Sequence, residues 1–195
     1  ELYDFLCYIT GFIYAYSLER PGVNALRGPV YPALIDIVEG RKVDFSAHLF
    51  DRETITGRFR SYQFTNQRRF TRSMLVWWAY SDPKQPLMDL DTTLEIEHIY
   101  ARKRNEVHPL SNRSNLEALG NKAMLEKRVN IRASDYQLSD KRKYYEGVEV
   151  SGTAVRELVE IARCGDFAES DIETRTERII TTFVEWLGKL GLLRE

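Results

Sequence analysis

The hydrophobic pattern of this chain changes its period near the centre, and that change limits the folds open to it. Over residues 94–99, apolar side chains alternate with carboxylates, as on a half-buried β-strand. A short apolar run at 123–125 follows a Gly-Asn pair and fits a second strand. A helix is expected to begin near Glu126, and Ser139 is placed to cap another one. The centre therefore predicts two strands followed by helices.

Both flanks of this centre carry apolar residues at helical spacing. Toward the N-terminus, the spacing predicts helices over residues 2–16, 33–39 and 70–78. The stretch 81–86, which contains two prolines, predicts a linker. Between the two predicted strands, the polar stretch 101–115 predicts an irregular loop.

The C-terminal third is predicted to hold two more helices. Apolar residues over 155–162 share one face, and Gly165 is well placed to end that helix. Ser170 and Glu173 have the spacing of a capping box, in which two side chains satisfy the first amide groups of a helix. The predicted fold class is therefore α+β and mostly helical, with one hairpin-helix unit embedded between N- and C-terminal helices.

Charge is distributed unevenly over three predicted segments, a helical support (1–90), a central unit (91–145) and a C-terminal helical segment (146–195). The whole chain has a formal net charge of −1 at pH 7. The stretch 99–143, however, holds 11 Lys or Arg against 5 Asp or Glu. A phosphate-bearing partner would be drawn to this stretch. The basic residues predicted to contact it are Arg102, Lys103, Arg104, Lys127, Arg128, Arg132, Arg142 and Lys143.

Composition argues against several other classes of protein. Hydrophobic residues make up 43% of the chain and charged residues 29%, ordinary values for a soluble globular protein. No run approaches the ~18 apolar residues of a membrane span, and no secretory signal is evident, so we expect a cytoplasmic protein. Cys7 and Cys164 are expected to be reduced core residues, since neither has the spacing of a disulfide framework or zinc site. Because Glu1 falls inside an apolar-periodic run, we expect a fragment of a longer protein.

Glu97, His98 and Asn130 carry the groups that phosphodiester hydrolysis needs. The reaction requires a base for the attacking water and a cation that offsets charge on the phosphate. An imidazole such as that of His98 is neutral often enough at pH 7 to accept the proton. The carboxylate of Glu97 and the amide oxygen of Asn130 suit Mg²⁺ or Mn²⁺, which need only one or two protein ligands beside water and phosphate. Since adjacent strand residues face opposite ways, the strand must twist or end at His98.

The order of these residues resembles a known nuclease motif. In chain order the residues are Glu97-His98-Ile99, Leu119-Gly120-Asn121, Asn130 and Lys141. This order resembles the HNH, or His-Me finger, motif, and more narrowly the C-terminal HNH domain of the GmrSD-type modification-dependent restriction endonucleases. The resemblance implies a ββα-metal unit in which Glu97 and Asn130 bind one divalent ion and His98 is the general base. It further implies that Asn121 fixes the loop and strand pairing, and that Lys141 stabilises the site or contacts phosphate.

The resemblance is firmest over 93–145 and extends more loosely to Ile172 and Arg175, which form an Ile-x-x-Arg element. Relatives commonly have a proline after the Glu-His-Ile element, where this chain has Tyr100-Ala101. The N-terminal helices resemble the segment that joins this domain to the family's nucleotide-hydrolysing, ParB-like N-terminal half, which is missing from the fragment. The resemblance thus implies a metal-dependent DNA endonuclease of a phage-defence restriction enzyme, acting on modified or phage DNA.

The residues alone leave other interpretations open. The chain could be a non-catalytic nucleic-acid-binding or interaction module on a decayed nuclease scaffold, or a purely helical assembly domain. Asn112 and Asn121 are also nine positions apart and could form the asparagine pair, but residues 113–117 are too polar for the second strand. His48 and His108 lack an acidic or amide partner at ligand spacing, so we expect them to be surface or capping residues.

Overall fold

The computed structural model describes residues 1–22, 24–89, 91–148 and 151–194. These residues form a mostly helical α+β structure with a small two-stranded antiparallel sheet. The predicted class, α+β and mostly helical, is therefore confirmed. The described helices are α1 (Leu2–Glu19), α2 (Arg27–Val38), α3 (Arg52–Ser61), α4 (Arg69–Ser81), α5 (Arg102–Val107), α6 (Lys127–Ala133), α7 (Leu138–Glu146), α8 (Arg156–Arg163) and α9 (Glu169–Lys189). The strands are β1 (Leu94–His98) and β2 (Lys122–Glu126), and 3₁₀ turns occupy Ser46–His48, Arg113–Glu117 and Leu119–Asn121.

The chain folds as two compact units. One contains residues 1–62 and 180–195, and the other contains residues 63–179. The first unit is built from α1, α2, α3 and the end of α9. The second is built from the helices α4 to α8, both strands and the beginning of α9. The division into a support, a central unit and a C-terminal segment stays a prediction.

The first unit has an aromatic core. Phe12 stacks on Phe45 with ring centroids 3.7 Å apart, and Phe59 meets Phe183 at 5.5 Å. Gly11 on α1 lies against the end of α9, where a Cβ would stand 2.6 Å from the Cδ1 of Leu190. Burial of these large rings is the main stabilising contribution to this unit.

The second unit is organised around the hairpin. β1 and β2 pair antiparallel, with Leu94 opposite Glu126 and His98 opposite Lys122. α6 begins at the residue that follows β2. The backbone N–H of Lys127, the first residue of α6, donates to the carbonyl of Thr93 at 2.8 Å, which ties the helix start to the sheet. The predicted succession of strand, strand and helix is confirmed as secondary structure.

Two features of the N-terminal helices differ from prediction. α2 begins well before Pro32, its predicted boundary, because this proline removes one amide donor inside the helix without ending it. α3 is missed altogether, since its apolar signal is a single pair, Ile55 and Phe59, one turn apart. The cap of α3 is nevertheless regular, because the carboxylate of Asp51 accepts the N–H of Thr54 at 2.7 Å.

The predicted irregular loop over 101–115 is wrong, because this segment contains α5 and the beginning of a 3₁₀ turn. The Oδ1 of Asn105 accepts the N–H of Leu110 at 2.9 Å. Arg104 binds both carboxylate oxygens of Asp166, at 2.5 and 2.9 Å. The partner of Arg104 lies far along the chain, so local periodicity carries no signal for this contact.

Both predicted serine caps are wrong. α7 begins one residue before Ser139, because buried Leu138 takes the first helical position. α9 begins one residue before Ser170, and the carboxylate of Asp171 accepts the N–H of Ala168 at 2.7 Å. A carboxylate in the first turn also suits the positive end of the helix dipole, so Asp171 takes the function expected of Glu173, the acidic member of the capping box.

Cys164 is exposed at the end of α8, so its expected place in the core is wrong. The helix ends there because Gly165 follows with a φ of +98°, a conformation that favours glycine. Cys7 is half-buried, and both thiols are free. Among the described residues, no helix combines the length and the apolar character needed to cross a bilayer.

Candidate functional site

A polar cleft of about 510 Å³ opens at the end of β1 in the unit formed by residues 63–179. Glu97, His98 and Asn130, the three residues predicted to carry the chemistry, all line it. β1 ends at His98, which allows adjacent strand residues to reach one cleft. The other described residues that line the cleft are Ile96, Arg102, Lys103, Glu106, Ser134 and Asp135.

Glu97 is held by two residues of α7. Its carboxylate is only 6% exposed, and Oε1 accepts hydrogen bonds from the ammonium of Lys141 and, at 2.8 Å, from the hydroxyl of Tyr145. Burial, together with the charge of Glu97, raises the pKa of Tyr145 well above its usual value, so the phenol stays protonated as a donor. Both bonds use Oε1, which leaves Oε2 of this carboxylate for another partner.

Lys141 lies deeper than a phosphate-binding lysine would. Its side chain is almost completely buried, and its ammonium also donates to the backbone carbonyl of His98 at 3.1 Å. The resemblance implies that Lys141 either stabilises the site or contacts phosphate. Its burial favours the first of these functions. Tyr145 was not singled out by sequence, and its place one helical turn after Lys141 is the only signal that points to it.

The His98 imidazole lies beside an ion pair between Glu117, which is half-buried, and Lys122, which is buried. His98 is 8% exposed, and its Nε2 lies 3.5 Å from Oε1 of Glu117, beyond hydrogen-bond geometry. Among the described residues, this Nε2 is a buried side-chain atom without a hydrogen-bond partner. Burial, followed by the charge of Lys122, lowers the pKa of His98 to about 4, so the ring is neutral at pH 7.

Lys122 is fully buried, which the sequence analysis did not anticipate. Its ammonium donates to the carboxylate of Glu117, to the backbone carbonyl of Phe64 and, at 2.9 Å, to Oδ1 of Asn66. Glu117 also accepts a hydrogen bond from Arg102 at 2.8 Å. Glu117 thus neutralises Lys122 and restrains Arg102 beside His98, a cluster that no local motif indicates.

Asn121 ties the loop between the strands to the end of β1. Its Oδ1 accepts the N–H of Tyr100 at 2.7 Å, and its Nδ2 donates to the carbonyls of Tyr100 at 3.2 Å and Leu116 at 3.0 Å. Its own carbonyl accepts the N–H of Ile99 at 2.9 Å. Because Asn121 is fully buried, these bonds satisfy its amide and fix the loop.

Arg175, part of the Ile-x-x-Arg element, holds the entry to β2. Its guanidinium donates to the carbonyls of Leu119 at 3.2 Å and of Gly120 and Lys122 at 2.8 Å. Glu157 pairs with the same guanidinium at 2.7 Å. The element therefore has a structural function that connects α9 and α8 to the strand carrying the cluster.

Asn130 projects from α6 into the cleft. Its Nδ2 donates to Oε2 of Glu95 at 2.8 Å. Its Oδ1 is left for another partner. Glu97, His98 and Asn130 thus line one cleft, and one oxygen of Glu97 and one of Asn130 take no part in the hydrogen bonds described above.

The basic residues predicted to contact DNA differ in availability. Lys103 lines the cleft, and it is exposed, as are Lys127 and Arg128 on α6. Arg104 is bound by Asp166 and lies 4.5 Å from the ring centroid of Tyr100. Arg102 is exposed but paired with Glu117, and Arg132 is half-buried. Arg142 is paired with Glu146, and the ammonium of Lys143 lies over the ring of Tyr144.

Neither of the other two histidines of the chain lines the described part of the cleft. His48 and His108 are both exposed, as expected, and His108 follows the last residue of α5. Within the described ranges, no three or more His, Cys, Asp or Glu side chains lie close enough together to hold a metal ion.

The fold and the cleft define a class, the mostly helical α+β domains with a polar cleft formed by a β-hairpin and the helix after it. The chain belongs to the family of GmrSD restriction endonucleases, C-terminal domain, whose family model matches residues 50–182, about two thirds of the chain. This match confirms the resemblance drawn from the motif and relates the domain to restriction nucleases. Comparisons with curated proteins and with solved structures gave no match.

Proposed function

We propose that this domain is a divalent-metal-dependent endonuclease that hydrolyses DNA phosphodiester bonds, with His98 as the general base. The observation that carries the proposal is that Glu97, His98 and Asn130 line one polar cleft in a member of a restriction-endonuclease family. A carboxylate, an imidazole and an amide in one cleft supply the groups that water activation and cation binding require.

The cofactor is Mg²⁺ or Mn²⁺, and the donor set fits such an ion. Oε2 of Glu97 and Oδ1 of Asn130 are hard oxygen donors, and neither takes part in the hydrogen bonds that anchor its side chain. Two protein oxygens suffice, because Mg²⁺ usually retains waters and binds substrate phosphate. When bound, the ion supplies positive charge that acidifies the attacking water and offsets charge on the phosphate.

His98 accepts the proton from the attacking water. The ring is neutral at pH 7, because burial and the nearby charge of Lys122 keep its pKa at about 4. Nε2 is buried beside Glu117, so Nδ1, the other ring nitrogen, is the proposed proton acceptor.

Lys141 and Asn121 act through the residues that they hold. Lys141 and Tyr145 both donate to Oε1 of Glu97, which anchors the side chain and leaves its second oxygen for another partner. Asn121 keeps the loop between the strands closed against the end of β1. Both are positioning residues, since neither side chain lines the described part of the cleft.

DNA is the proposed partner, and modified or phage DNA is the proposed target. The exposed residues Lys103, Lys127 and Arg128 supply charge that a DNA backbone would bind. The family is described as a C-terminal domain, which supports a longer protein. The proposed N-terminal half is nucleotide-hydrolysing and ParB-like, as the motif resemblance implies. Such a protein would act in the cytoplasm as a phage-defence restriction enzyme.

Plasmid cleavage tests this proposal. The wild-type chain is expected to nick plasmid DNA with Mg²⁺ or Mn²⁺ and to stop when the metal is chelated. His98→Ala is expected to lose roughly 10²–10⁴-fold in rate, the usual contribution of a general base. His108→Ala is the matched control, because it removes an exposed histidine of the same unit, and it should cleave like the wild type. Equal nicking by His98→Ala and the wild type would exclude His98 as the base.

One observation favours a second function, a non-catalytic DNA-binding module on a decayed nuclease scaffold. The carboxylate of Glu97 already has a cationic partner in Lys141, and Nε2 of His98 lies beside Glu117. On that account DNA binding depends on salt, while metal and Glu97→Gln, which keeps an acceptor for Lys141, leave it unchanged. A dependence of DNA affinity on both metal and Glu97 would exclude it.

A further inference from the structure

Glu95 and Asn130 form a hydrogen bond that the motif does not explain. The amide Nδ2 of Asn130 on α6 donates to Oε2 of Glu95 on β1 at 2.8 Å. Glu95 precedes Glu97 by two residues on the strand, so both carboxylates lie on the same face of the sheet. Asn130 lines the cleft, whereas Glu95 is not among the described residues that line it.

The backbone itself places Asn130 close to Glu95. Leu94 lies opposite Glu126 in the sheet, and the N–H of Lys127 donates to the carbonyl of Thr93 at 2.8 Å. α6 therefore starts at the open end of the hairpin. Its fourth residue, Asn130, lies about one turn later and returns over the strand.

The hydrogen bond sets the direction of the Asn130 amide. An ionised carboxylate has acceptors only, so Glu95 can pair with the nitrogen of the amide and not with its oxygen. Because Nδ2 is bound to Glu95, Oδ1 on the other side of the amide is left for a different partner. Without Glu95, the amide would rotate between its two orientations and present a nitrogen donor for part of the time.

We infer that Glu95 is a positioning residue, which holds the Asn130 amide with its oxygen toward the cleft so that this oxygen binds a divalent cation. The inference rests on the proposed function, in which Asn130 is a cation ligand. Outer hydrogen-bond partners of this kind orient ligands, and their removal typically costs roughly 10–100-fold in metal affinity.

Titration of the full chain with Mn²⁺ by calorimetry, without DNA, tests this inference separately from catalysis. Glu95→Ala is expected to weaken Mn²⁺ binding by roughly 10–100-fold. Glu95→Gln retains an acceptor oxygen for Nδ2 but adds an amide donor that can also pair with Oδ1, so it should restore only part of the affinity. The matched control is Glu160→Gln, which removes an exposed carboxylate of the same unit that does not line the cleft and should change the affinity little.

A double-mutant cycle separates positioning from other effects. If Glu95 acts through Asn130, then Glu95→Ala has no further effect on Mn²⁺ affinity once Asn130→Ala is present. A loss that persists in the Asn130→Ala background would mean that Glu95 attracts or binds the cation directly, and it would overturn the inference. Glu95→Ala binding as tightly as the wild type would overturn it too, with the proposed function intact. A wild type that binds no Mn²⁺ would overturn both.

Discussion

The ammonium of Lys141 on α7 is buried against the carboxylate of Glu97 on β1, and the ion pair connects the helix to the strand that carries the candidate site. The same ammonium reaches the carbonyl of His98 at 3.1 Å. One lysine thereby fixes both the side chain of Glu97 and the backbone of the next residue. A charge buried to this degree is stable only while its partner is present.

Lys141→Met should therefore destabilise the domain strongly. The substitution keeps the aliphatic volume but leaves the Glu97 carboxylate buried without its cation. The expected loss in the free energy of unfolding is about 3–5 kcal/mol, measured by urea denaturation. Lys143→Met, at an exposed position of the same helix, is the control and should change stability by less than about 0.5 kcal/mol. Similar effects of the two substitutions would show that the ion pair does not hold the site.

Gly120→Ala should be destabilising, because α9 passes directly over this residue. A Cβ at Gly120 would lie 2.3 Å from the backbone oxygen of Ile172, and a backbone atom cannot simply rotate away. Overpacking of this kind costs roughly 1–3 kcal/mol or more. Gly57→Ala is the opposite case, since Gly57 lies inside α3 with nothing within 4 Å, and it should stabilise by about 1 kcal/mol. Thermal unfolding of both variants checks the opposite signs.

Glu157 should make stability depend on pH in the acid range. Burial opposes ionisation of this carboxyl, but the charge and hydrogen bonds of Arg175, with a bond from Trp78 at 2.7 Å, outweigh it and lower the pKa. The folded state therefore binds a proton less readily than the unfolded state. Above pH 4.5, the ordinary pKa of the carboxyl, the ionised Glu157 stabilises the folded state. This stabilisation is lost as the pH falls from 4.5 toward the lower pKa that Glu157 has in the folded state.

The free energies of unfolding of the wild type and of Glu157→Gln should therefore converge at acidic pH. Wild type should exceed Glu157→Gln in stability at pH 7, and the difference should shrink as the pH falls below 4.5. Glu160→Gln changes an exposed carboxylate of the same helix and serves as the reference. A difference between wild type and Glu157→Gln that stays constant with pH would contradict the proposed cause.

DNA affinity should depend more on Lys103 than on Arg104, although the two are neighbours. Lys103 is exposed at the cleft, whereas Arg104 is bound to Asp166 through two hydrogen bonds. Removing one phosphate contact reduces the slope of log affinity against log salt by about 1. Lys103→Ala should show this reduction and Arg104→Ala should not. The reverse order would indicate that DNA binds elsewhere on the domain.

Sequence reasoning was sufficient where the signal is local. The alternation over 94–99 and the apolar run at 123–125 predict both strands, because period and turn residues are properties of neighbouring positions. The motif order predicts that Glu97, His98 and Asn130 belong together, and they line one cleft.

Sequence reasoning failed where a partner lies far along the chain. Lys122 looks like an exposed strand residue, yet its ammonium is buried against Phe64 and Asn66, more than fifty positions away. Glu117 lies in a polar stretch, where nothing distinguishes a counter-ion from a solvated side chain. Helix starts were misplaced for a related reason, since Leu138 begins α7 through burial and not through a cap.

A crystal of this domain soaked in Mn²⁺ tests the central claim most directly, through the anomalous difference map. The account predicts one strong peak in the cleft, roughly 2.1 Å from Oε2 of Glu97 and from Oδ1 of Asn130. It predicts His98 close enough to reach a water on that ion. A map with no peak between Glu97 and Asn130, at the Mn²⁺ concentration used in the cleavage assay, would contradict the proposed cation site.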